Sequence, residues 1–249
     1  DVALAVDGTF TQADISDGRI SYTHDDSETT SDTFTFAVKD PDNHESAVTT
    51  FTFTVNPVND SRPEVEGVVI NAGLEGSSSQ RSMVRNVTVT FNTTVTIDAG
   101  AFALSRRDVA GVVSGITTFT AESTSVNGKT VVTLTFAGGS LDDGNYLLTI
   151  DDQKISAWGM TLLGDGSPNG DFCFGDQAVD GFFRLFGDSD GDRDVDTLDY
   201  TWIRSTYLKT NADSGFLWYF DYDSDNDVDS FDMDQFLART DRKALWSSW

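Results

Sequence analysis

The chain has 249 residues, of which 41 are acidic and 16 basic, giving a formal charge of −25. This length accommodates two or three domains of ordinary size, each with its own core. The acidic balance argues against nucleic acid or an anionic membrane surface as a partner. No run approaches the roughly 18 apolar residues that span a bilayer, so we expect no membrane insertion.

Residues 1–60 contain two stretches with the alternation of a β-strand. Apolar residues occupy every second position in both, which is the pattern of a strand with one buried face. The positions are Phe34, Phe36, Val38, Phe51, Phe53 and Val55. Between the two stretches lies "KDPDNHES", whose proline and Asx residues favour a turn. We predict an antiparallel hairpin.

The region of this hairpin reads "FTQADISDGRISYTHDDSETTSDTFTFAVKD". It resembles the later half of the chondroitin-sulfate-proteoglycan repeat, a cadherin-like β-sandwich of extracellular proteins, through FTQxDI, GxIxYxH and DxFxFxVxD. The resemblance covers residues 10–55, so we assign residues 1–60 to a partial repeat and expect its opening strands before Asp1. The following stretch "VNPVNDSRP" predicts an extended linker.

The segment 61–165 carries short strand patterns separated by turn-rich stretches, which indicates an Ig-like, all-β sandwich. The patterns are "EVEGVVI", "NVTVTF", "TVVTLTF" and "NYLLTI". Asn127 and Gly128 predict a tight hairpin, because both central positions of a type I′ turn need positive φ. From "VTVTFNTTVTID" to "AWGMTLLGDG" the segment resembles bacterial Ig-like domains. Residues 166–181 form a predicted linker.

Two stretches then place aspartate at alternate positions, "DSDGDRDVDTLD" and "DYDSDNDVDSFD", and the second lies 33 residues after the first. Calcium takes about six to eight oxygen ligands, and a twelve-residue loop supplies them from positions 1, 3, 5, 7, 9 and 12. Aspartate occupies all of these positions in both stretches. The predicted metal ligands are Asp188, Asp190, Asp192, Asp194, Asp196, Asp199, Asp221, Asp223, Asp225, Asp227, Asp229 and Asp232. We predict two bound Ca²⁺ ions, one in each loop.

Positions 1, 3, 5 and 12 are the stronger ligand candidates, since position 7 usually binds through its carbonyl and position 9 through water. The sixth position, normally glycine, is Arg193 in the first loop and Asn226 in the second. A left-handed φ there is tolerated by asparagine and strained for arginine. Val195 and Val228 at position 8 predict a short β contact between the loops.

Helical patterns follow both loops, in "DYTWIRSTYLK" and "DMDQFLARTDRKAL". In the first, the spacing places Tyr200, Ile203 and Tyr207 on one apolar face, which we expect to pack in the core. Two calcium loops, each followed by one helix, resemble a type I dockerin, and we assign residues 182–249 to this module. In that family, residues at the start of each helix contact a cohesin-type partner. The corresponding positions are Thr197, Leu198, Ser230 and Phe231. Leu198 and Phe231 replace small polar residues common there, which leaves a role in the core open.

The predicted architecture is mainly β with a small α C-terminal module. Two β-sandwich domains, cadherin-like and Ig-like, stand in tandem before a dockerin-like pair of calcium loop-helix motifs. We expect few contacts to cross the linkers. The two histidines, His24 and His44, have no identifiable catalytic partner, and the organised carboxylates are assigned to calcium, so we predict no enzymatic activity.

The leading functional hypothesis is a secreted or cell-surface structural or adhesion protein of bacterial type, with the sandwiches as spacers. A protein partner or a second copy of the chain is expected at the calcium module and at the N-terminal half-domain. Residues 1–60 are too few to cover their own apolar face, and an open edge accepts a strand from a neighbour, giving head-to-tail fibres. The alternative is the noncatalytic C-terminal anchoring region of a large secreted enzyme.

Overall fold

A computed structural model of the chain describes residues 4, 6–25, 27, 29–56, 61–76, 79–107, 113–166 and 170–240. The chain divides into two compact units, Asp1–Asp60 and Ser61–Trp249. This division coincides with the predicted end of the N-terminal repeat. Residues 167–169 of the predicted linker and residues 241–249 of the predicted C-terminal module lie outside the described residues.

The first unit contains a β-hairpin preceded by a short helix. Helix α1 spans Gln12–Ser16 and begins at a capping box, in which the side chains of Thr11 and Asp14 accept each other's backbone amides. Strands β1 (Ser31–Phe36) and β2 (Thr49–Thr54) pair antiparallel. The predicted hairpin is confirmed.

The turn between these strands is built on Asp40. Its Oδ1 accepts the amides of Asp42 and His44, both at 2.9 Å, and its Oδ2 lies 3.0 Å from His44 Nδ1. Asn43 has a φ of 66°, the left-handed conformation that Asx residues tolerate in turns. His44 therefore has a carboxylate neighbour that the sequence did not reveal, on an exposed turn.

One side of the hairpin presents an aromatic face, formed by Tyr22, Phe34, Phe51 and Phe53. Phe34 and Phe51 are opposite each other in the strand register, with ring centroids 5.4 Å apart. Phe53 stacks on Tyr22 at 4.0 Å. Phe34 nevertheless remains 40% exposed and Phe51 46%. The rings pack on one another but are only partly covered.

The second unit is built mainly from antiparallel strands. In chain order these are β3 (Val65–Ile70), β4 (Asn86–Phe91), β5 (Thr96–Ile97), β6 (Phe102–Arg107), β7 (Val113–Ile116), β8 (Phe119–Val126), β9 (Lys129–Phe136), β10 (Gly144–Ile150), β11 (Ile155–Ala157), β12 (Met160–Thr161), β13 (Phe172–Phe174) and β14 (Phe183–Arg184). One sheet has the order β3-β4-β9-β8, and a second has the order β13-β10-β6-β7 with β14 also paired to β10. A small third sheet has the order β12-β11-β5.

The two larger sheets enclose a common hydrophobic core. Strands β4 and β9 alternate buried with partly exposed residues, as a strand with one covered face must. The buried side chains come from both sheets and include Val87, Val89, Phe91, Leu104, Val132, Leu134, Tyr146, Leu148 and Ile150. This arrangement is a β-sandwich.

The sequence located four strands of this sandwich, but it did not predict the strands β6, β7 and β8. The four predicted strand patterns are β3, β4, β9 and β10. Asn127 and Gly128 form the predicted turn between β8 and β9, with φ values of 51° and 78°. The shorter strands β5, β11, β12, β13 and β14 were not predicted, because two or three residues are too few to show alternation.

The C-terminal part of the unit contributes two helices and a second core. Helices α2 (Thr197–Thr206) and α3 (Ser230–Leu237) each follow one aspartate stretch. The buried residues of this core are Met83, Phe183, Leu185, Phe186, Val195, Ile203, Tyr219, Phe220, Val228 and Phe236. None of the described helices is long and apolar enough to cross a membrane.

The buried side of α2 differs from the apolar face expected from sequence. Ile203 is buried as expected, but Tyr200 and Tyr207 are 40% and 36% exposed, and Asp199 and Thr206 are buried instead. Both polar side chains have partners inside the protein: Asp199 accepts the amides of Ser189 and Asp196, and the hydroxyl of Thr206 accepts the amide of Leu217.

The second core is not separate from the sandwich. It includes Met83, which comes from the segment just before β4, and β14 pairs with β10 at Gly144 and Asn145. Arg184 also donates to the side chain of Asp143 at 2.8 Å. The expectation that few contacts cross this junction is wrong, because the chain returns to the edge of the sandwich before the first aspartate stretch begins.

Candidate metal centre

The two aspartate stretches form loops at equivalent places, residues 188–199 (loop 1) and 221–232 (loop 2). Loop 1 turns around the carboxylate at its first position. Asp188 Oδ1 accepts the amide of Gly191 at 2.6 Å, and its Oδ2 accepts the amide of Arg193 at 3.0 Å. The backbone therefore wraps its own first carboxylate, in the manner of Asx turns.

Asp196 and Asp199 close loop 1 and begin α2. Asp196 is the N-cap and accepts the amide of Leu198 at 2.7 Å, while Asp199 Oδ2 accepts the amide of Asp196 at 2.8 Å. Asp199 Oδ1 accepts both the amide and the hydroxyl of Ser189, at 2.8 and 2.7 Å. Position 12 therefore ties the start of the loop to the start of the helix.

Loop 2 repeats these contacts. Asp221 Oδ2 accepts the amide of Asn226 at 3.2 Å. Asp232 accepts the amides of Tyr222 and Asp229, each at 2.7 Å, and Asp229 is the N-cap of α3. The duplication in the sequence is thus also a duplication of local structure.

Carboxylate oxygens converge within both loops. Three groups of aspartates each bring one oxygen per residue within 4.8 Å of the others. The groups are Asp188, Asp190 and Asp199; Asp194, Asp196 and Asp199; and Asp221, Asp223 and Asp225. The other predicted ligands, Asp192, Asp227, Asp229 and Asp232, lie in the same two loops. Oxygen atoms gathered in this way suit a hard cation.

The first and last carboxylates of each loop are buried. Asp188, Asp199, Asp221 and Asp232 have exposed fractions of 0, 1, 2 and 1%. In the described part of the chain none of these four makes an ion pair with a basic side chain within 4.0 Å. Charged groups are rarely buried without a partner, so their ionised form requires compensation.

The pKa values of these four carboxyl groups are raised, as expected for carboxylates that are buried without an ion pair. Burial raises the pKa of Asp188 to about 7, and the nearby charge of Asp199 adds to the effect. Burial raises the pKa of Asp232 to about 6. The pKa values of Asp199 and Asp221 are raised by the same cause. A cation bound in the loops would favour the ionised forms and reverse these shifts.

The sixth position of each loop has the left-handed backbone expected from the loop pattern. Arg193 and Asn226 both have a φ of 77°. In loop 1 the fourth position is also left-handed, at Gly191, where a Cβ atom would lie 2.3 Å from the carbonyl oxygen of Ser79. Only glycine fits there.

The predicted β contact between the two valines at position 8 is wrong. Val195 and Val228 are both buried in the second core. However, the amide of Val228 donates to Lys209 O at 2.9 Å, and its carbonyl accepts the amide of Leu208 at 2.7 Å. Both backbone groups of Val228 are therefore used by the segment after α2, and the two valine side chains belong to the same buried core.

The residues that correspond to dockerin recognition positions lie at the start of α2 and α3. Thr197 and Ser230 are exposed. Leu198 and Phe231 are 60% and 47% exposed. Neither side chain belongs to the buried core, although the ring of Phe231 contacts that of Tyr222, which packs against the second core, at 6.1 Å between centroids.

Sequence reasoning missed the residues that hold the loops on the sandwich. Ser82 and Asp143 lie in turn-rich stretches of the sandwich, and both bond to residues that flank the loops. The side chain of Arg193 also reaches the sandwich, at Asn145. No local pattern marks these positions, because their partners are about 40 to 140 residues away in the sequence.

Comparison with known proteins bears on the N-terminal unit. A family model described as cadherin-like matches residues 5–56. This match supports the cadherin-like part of the sequence interpretation and indicates a β module of the structural or adhesive type. Searches of curated proteins and of solved structures found no significant match.

Proposed function

We propose that this protein is a noncatalytic, calcium-binding structural or adhesion protein that acts outside the cell. Its β modules serve as spacers, and the two aspartate loops each bind one Ca²⁺ ion. The observation that carries the proposal is the burial of equivalent carboxylates in two duplicated loops. In the described part of the chain four of them form no ion pair within 4.0 Å; Arg81 and Arg193 act on Asp188, and Arg85 acts on Asp221, only from a longer distance. A divalent cation would supply the missing positive charge.

The donor set fits calcium in its chemistry. All candidate side-chain ligands are carboxylates, which are hard oxygen donors. Calcium coordinates about six to eight oxygen atoms in a flexible geometry. Asp188, Asp190, Asp192 and Asp199 would hold the ion in loop 1. Asp221, Asp223, Asp225 and Asp232 would hold it in loop 2. Position 7 would contribute its carbonyl and position 9 would act through water.

The C-terminal part of the chain is proposed to act as a dockerin-like assembly module. Each loop leads into one helix, and the two helices present an exposed apolar side chain at the same position, Leu198 and Phe231. A protein partner that carries an apolar patch would bury these side chains. Calcium would set the orientation of both helices, because Asp199 and Asp232 accept the backbone amides of the N-cap residues Asp196 and Asp229.

Self-association is proposed at the N-terminal unit. Its aromatic face is only partly covered, and strands β1 and β2 form a hairpin whose edges can accept a further strand. If a neighbouring molecule covers this face, the contact joins two different surfaces and need not close. Head-to-tail fibres follow from such a contact.

Calorimetric titration of the full chain with variants tests the calcium sites. Asp190 and Asp223 are exposed and occupy position 3 of their loops. We expect Asp190→Ala and Asp223→Ala each to lose one of two binding events. The matched control is Asp234→Ala, which removes an exposed aspartate just outside loop 2 and leaves both events. Equal heats for all four proteins would refute the assignment.

A further inference from the structure

The aspartate loops are anchored to the sandwich through a short segment that precedes β4. The backbone of Arg81 forms two bonds across this junction. Its amide donates to Asp188 O at 2.9 Å, and its carbonyl accepts the amide of Leu185 at 3.0 Å. The first residue of loop 1 is therefore bonded directly to the sandwich segment.

Ser82 links the entrances of both loops. Its buried hydroxyl accepts the amide of Gly187 at 2.9 Å and donates to Tyr219 O at 2.5 Å. Gly187 precedes loop 1 by one residue, and Tyr219 precedes loop 2 by two. A single side chain of the sandwich segment thus holds the two loops at a fixed separation.

Asp143 holds the residues before loop 1 and after α3. Its Oδ1 accepts Arg184 Nη1 and the amide of Phe186, both at 2.8 Å. Its Oδ2 accepts Arg239 Nε at 2.6 Å. Arg184 and Arg239 are both buried, so these are charge-assisted bonds with little solvent screening. These contacts hold the segments that flank the loops on the sandwich without involving the loops themselves.

Arg193 makes a side-chain contact from within loop 1 to the sandwich strand β10. Its Nη1 donates to Asn145 Oδ1 at 3.1 Å, and its guanidinium lies 4.1 Å from the ring centroid of Phe183. The backbone amide of the same residue donates to Asp188. Arg193 therefore contacts the first candidate calcium ligand through its backbone and the sandwich through its side chain.

Asn226, the equivalent residue of loop 2, has the same backbone but a different environment. Its φ is also 77°, and its amide bonds Asp221 as the amide of Arg193 bonds Asp188. Its side chain is exposed, and its carbonyl accepts the amide of Asn211, which lies within the C-terminal segment. The strained backbone at the sixth position is common to both loops, and the side-chain hydrogen bond from this position to the sandwich is found in loop 1.

We propose that Arg193 is a positioning residue that couples calcium binding in loop 1 to the β-sandwich, so that calcium stiffens the junction between the two. The inference rests on the proposed function above. Ordering of loop 1 fixes the amide of Arg193 toward Asp188, and this places the guanidinium on Asn145 and Phe183. Loop 2 binds without this effect. The two calcium sites are therefore structurally different despite their matched sequences.

Hydrogen exchange on the full chain, with and without calcium, tests the coupling. The amides of Arg81 and Leu185 are the probes, because each bonds across the junction. Arg193→Gly and Asn226→Gly form a matched pair, since both relieve the left-handed strain and only the first removes a sandwich contact. We expect calcium to slow exchange of both probes in the unaltered chain and in Asn226→Gly. In Arg193→Gly this slowing should be lost while calcium uptake persists.

A second variant keeps the test decisive if Arg193→Gly fails to fold. Asn145→Ala removes the acceptor from the sandwich side and leaves the loop backbone unaltered, and it should also abolish the calcium-dependent protection. Retained protection in both variants would overturn the coupling. Calcium uptake by the unaltered chain with unchanged exchange of the probes would overturn this inference alone. Absence of any uptake would overturn the proposed function together with it.

Discussion

Asp188 and Asp221, which lie 33 residues apart, hold the same amide of their loops: each accepts the backbone N–H five positions later, at 3.0 and 3.2 Å. Both carboxylates are buried. The loops are therefore organised around groups whose ionised form is unfavourable in the protein interior unless a positive charge is present. This relationship connects the local structure to the metal chemistry and leads to the following predictions.

The stability of the metal-free protein should fall as pH rises from about 4 to 7. Burial raises the pKa of Asp188 to about 7 and that of Asp232 to about 6, whereas an unfolded aspartate titrates near about 4. The folded chain therefore binds these protons more tightly than the unfolded chain, and its stability decreases through this window. Thermal unfolding of calcium-depleted protein across the window measures the effect.

The same measurement in excess calcium provides the control. Calcium binds the ionised carboxylates, so ionisation now promotes binding to the folded state, and stability should increase with pH. Superimposable pH profiles with and without calcium would show that the buried aspartates do not respond to the ion.

Ser82→Ala should destabilise the C-terminal segment by about 1–3 kcal/mol, because it leaves the buried amide of Gly187 and carbonyl of Tyr219 without their shared partner. Ser205→Ala, which removes an exposed hydroxyl from α2, is the control and should change stability by less than about 0.5 kcal/mol. Chemical denaturation of both variants gives the comparison. Equal midpoints would mean that the hydroxyl does not link the loop entrances.

Asp143→Asn should cost about 3 kcal/mol or more, since the two buried guanidinium groups of Arg184 and Arg239 lose their anionic partner. Asp142→Asn changes the same charge at the neighbouring exposed position and should be nearly neutral. Denaturation at moderate salt separates the two cases. A similarly small loss of stability in both variants would show that the ion pairs of Asp143 with Arg184 and Arg239 contribute little to the junction.

The aromatic face of the N-terminal unit should drive any self-association of the chain. The double variant Phe34→Ser with Phe51→Ser removes the two rings that are paired across β1 and β2 and partly exposed. Its sedimentation coefficient should stay constant with concentration, while that of the unaltered chain rises. Val126→Ser, at an exposed position in the second unit, should behave like the unaltered chain. A monomeric unaltered chain at all concentrations would contradict the proposal.

Sequence patterns predicted those elements that are determined by residues close together in the chain. The alternation in β4 and β9 and the turn residues Asn127 and Gly128 led directly to the sandwich hairpins. Position-by-position spacing likewise located both aspartate loops and the helices that follow them. In each case the residues that determine the structure are neighbours in sequence.

The packing of the loops on the sandwich could not be predicted in this way. The hydroxyl of Ser82 bonds Tyr219, 137 residues away, and Arg239 bonds Asp143, 96 residues away. The buried side of α2 likewise includes Thr206, whose hydroxyl accepts the amide of Leu217 from the segment after the helix. These features depend on tertiary contacts, which the periodicity of the sequence does not predict.

The central claim is that the duplicated loops are calcium sites, and isothermal titration of the calcium-depleted full chain tests it most directly. The account predicts two binding events, with one lost in Asp190→Ala and the other in Asp223→Ala, and a higher unfolding temperature of the C-terminal segment after saturation. A titration without binding heat, accompanied by the same unfolding temperature in calcium and in chelator, would contradict it.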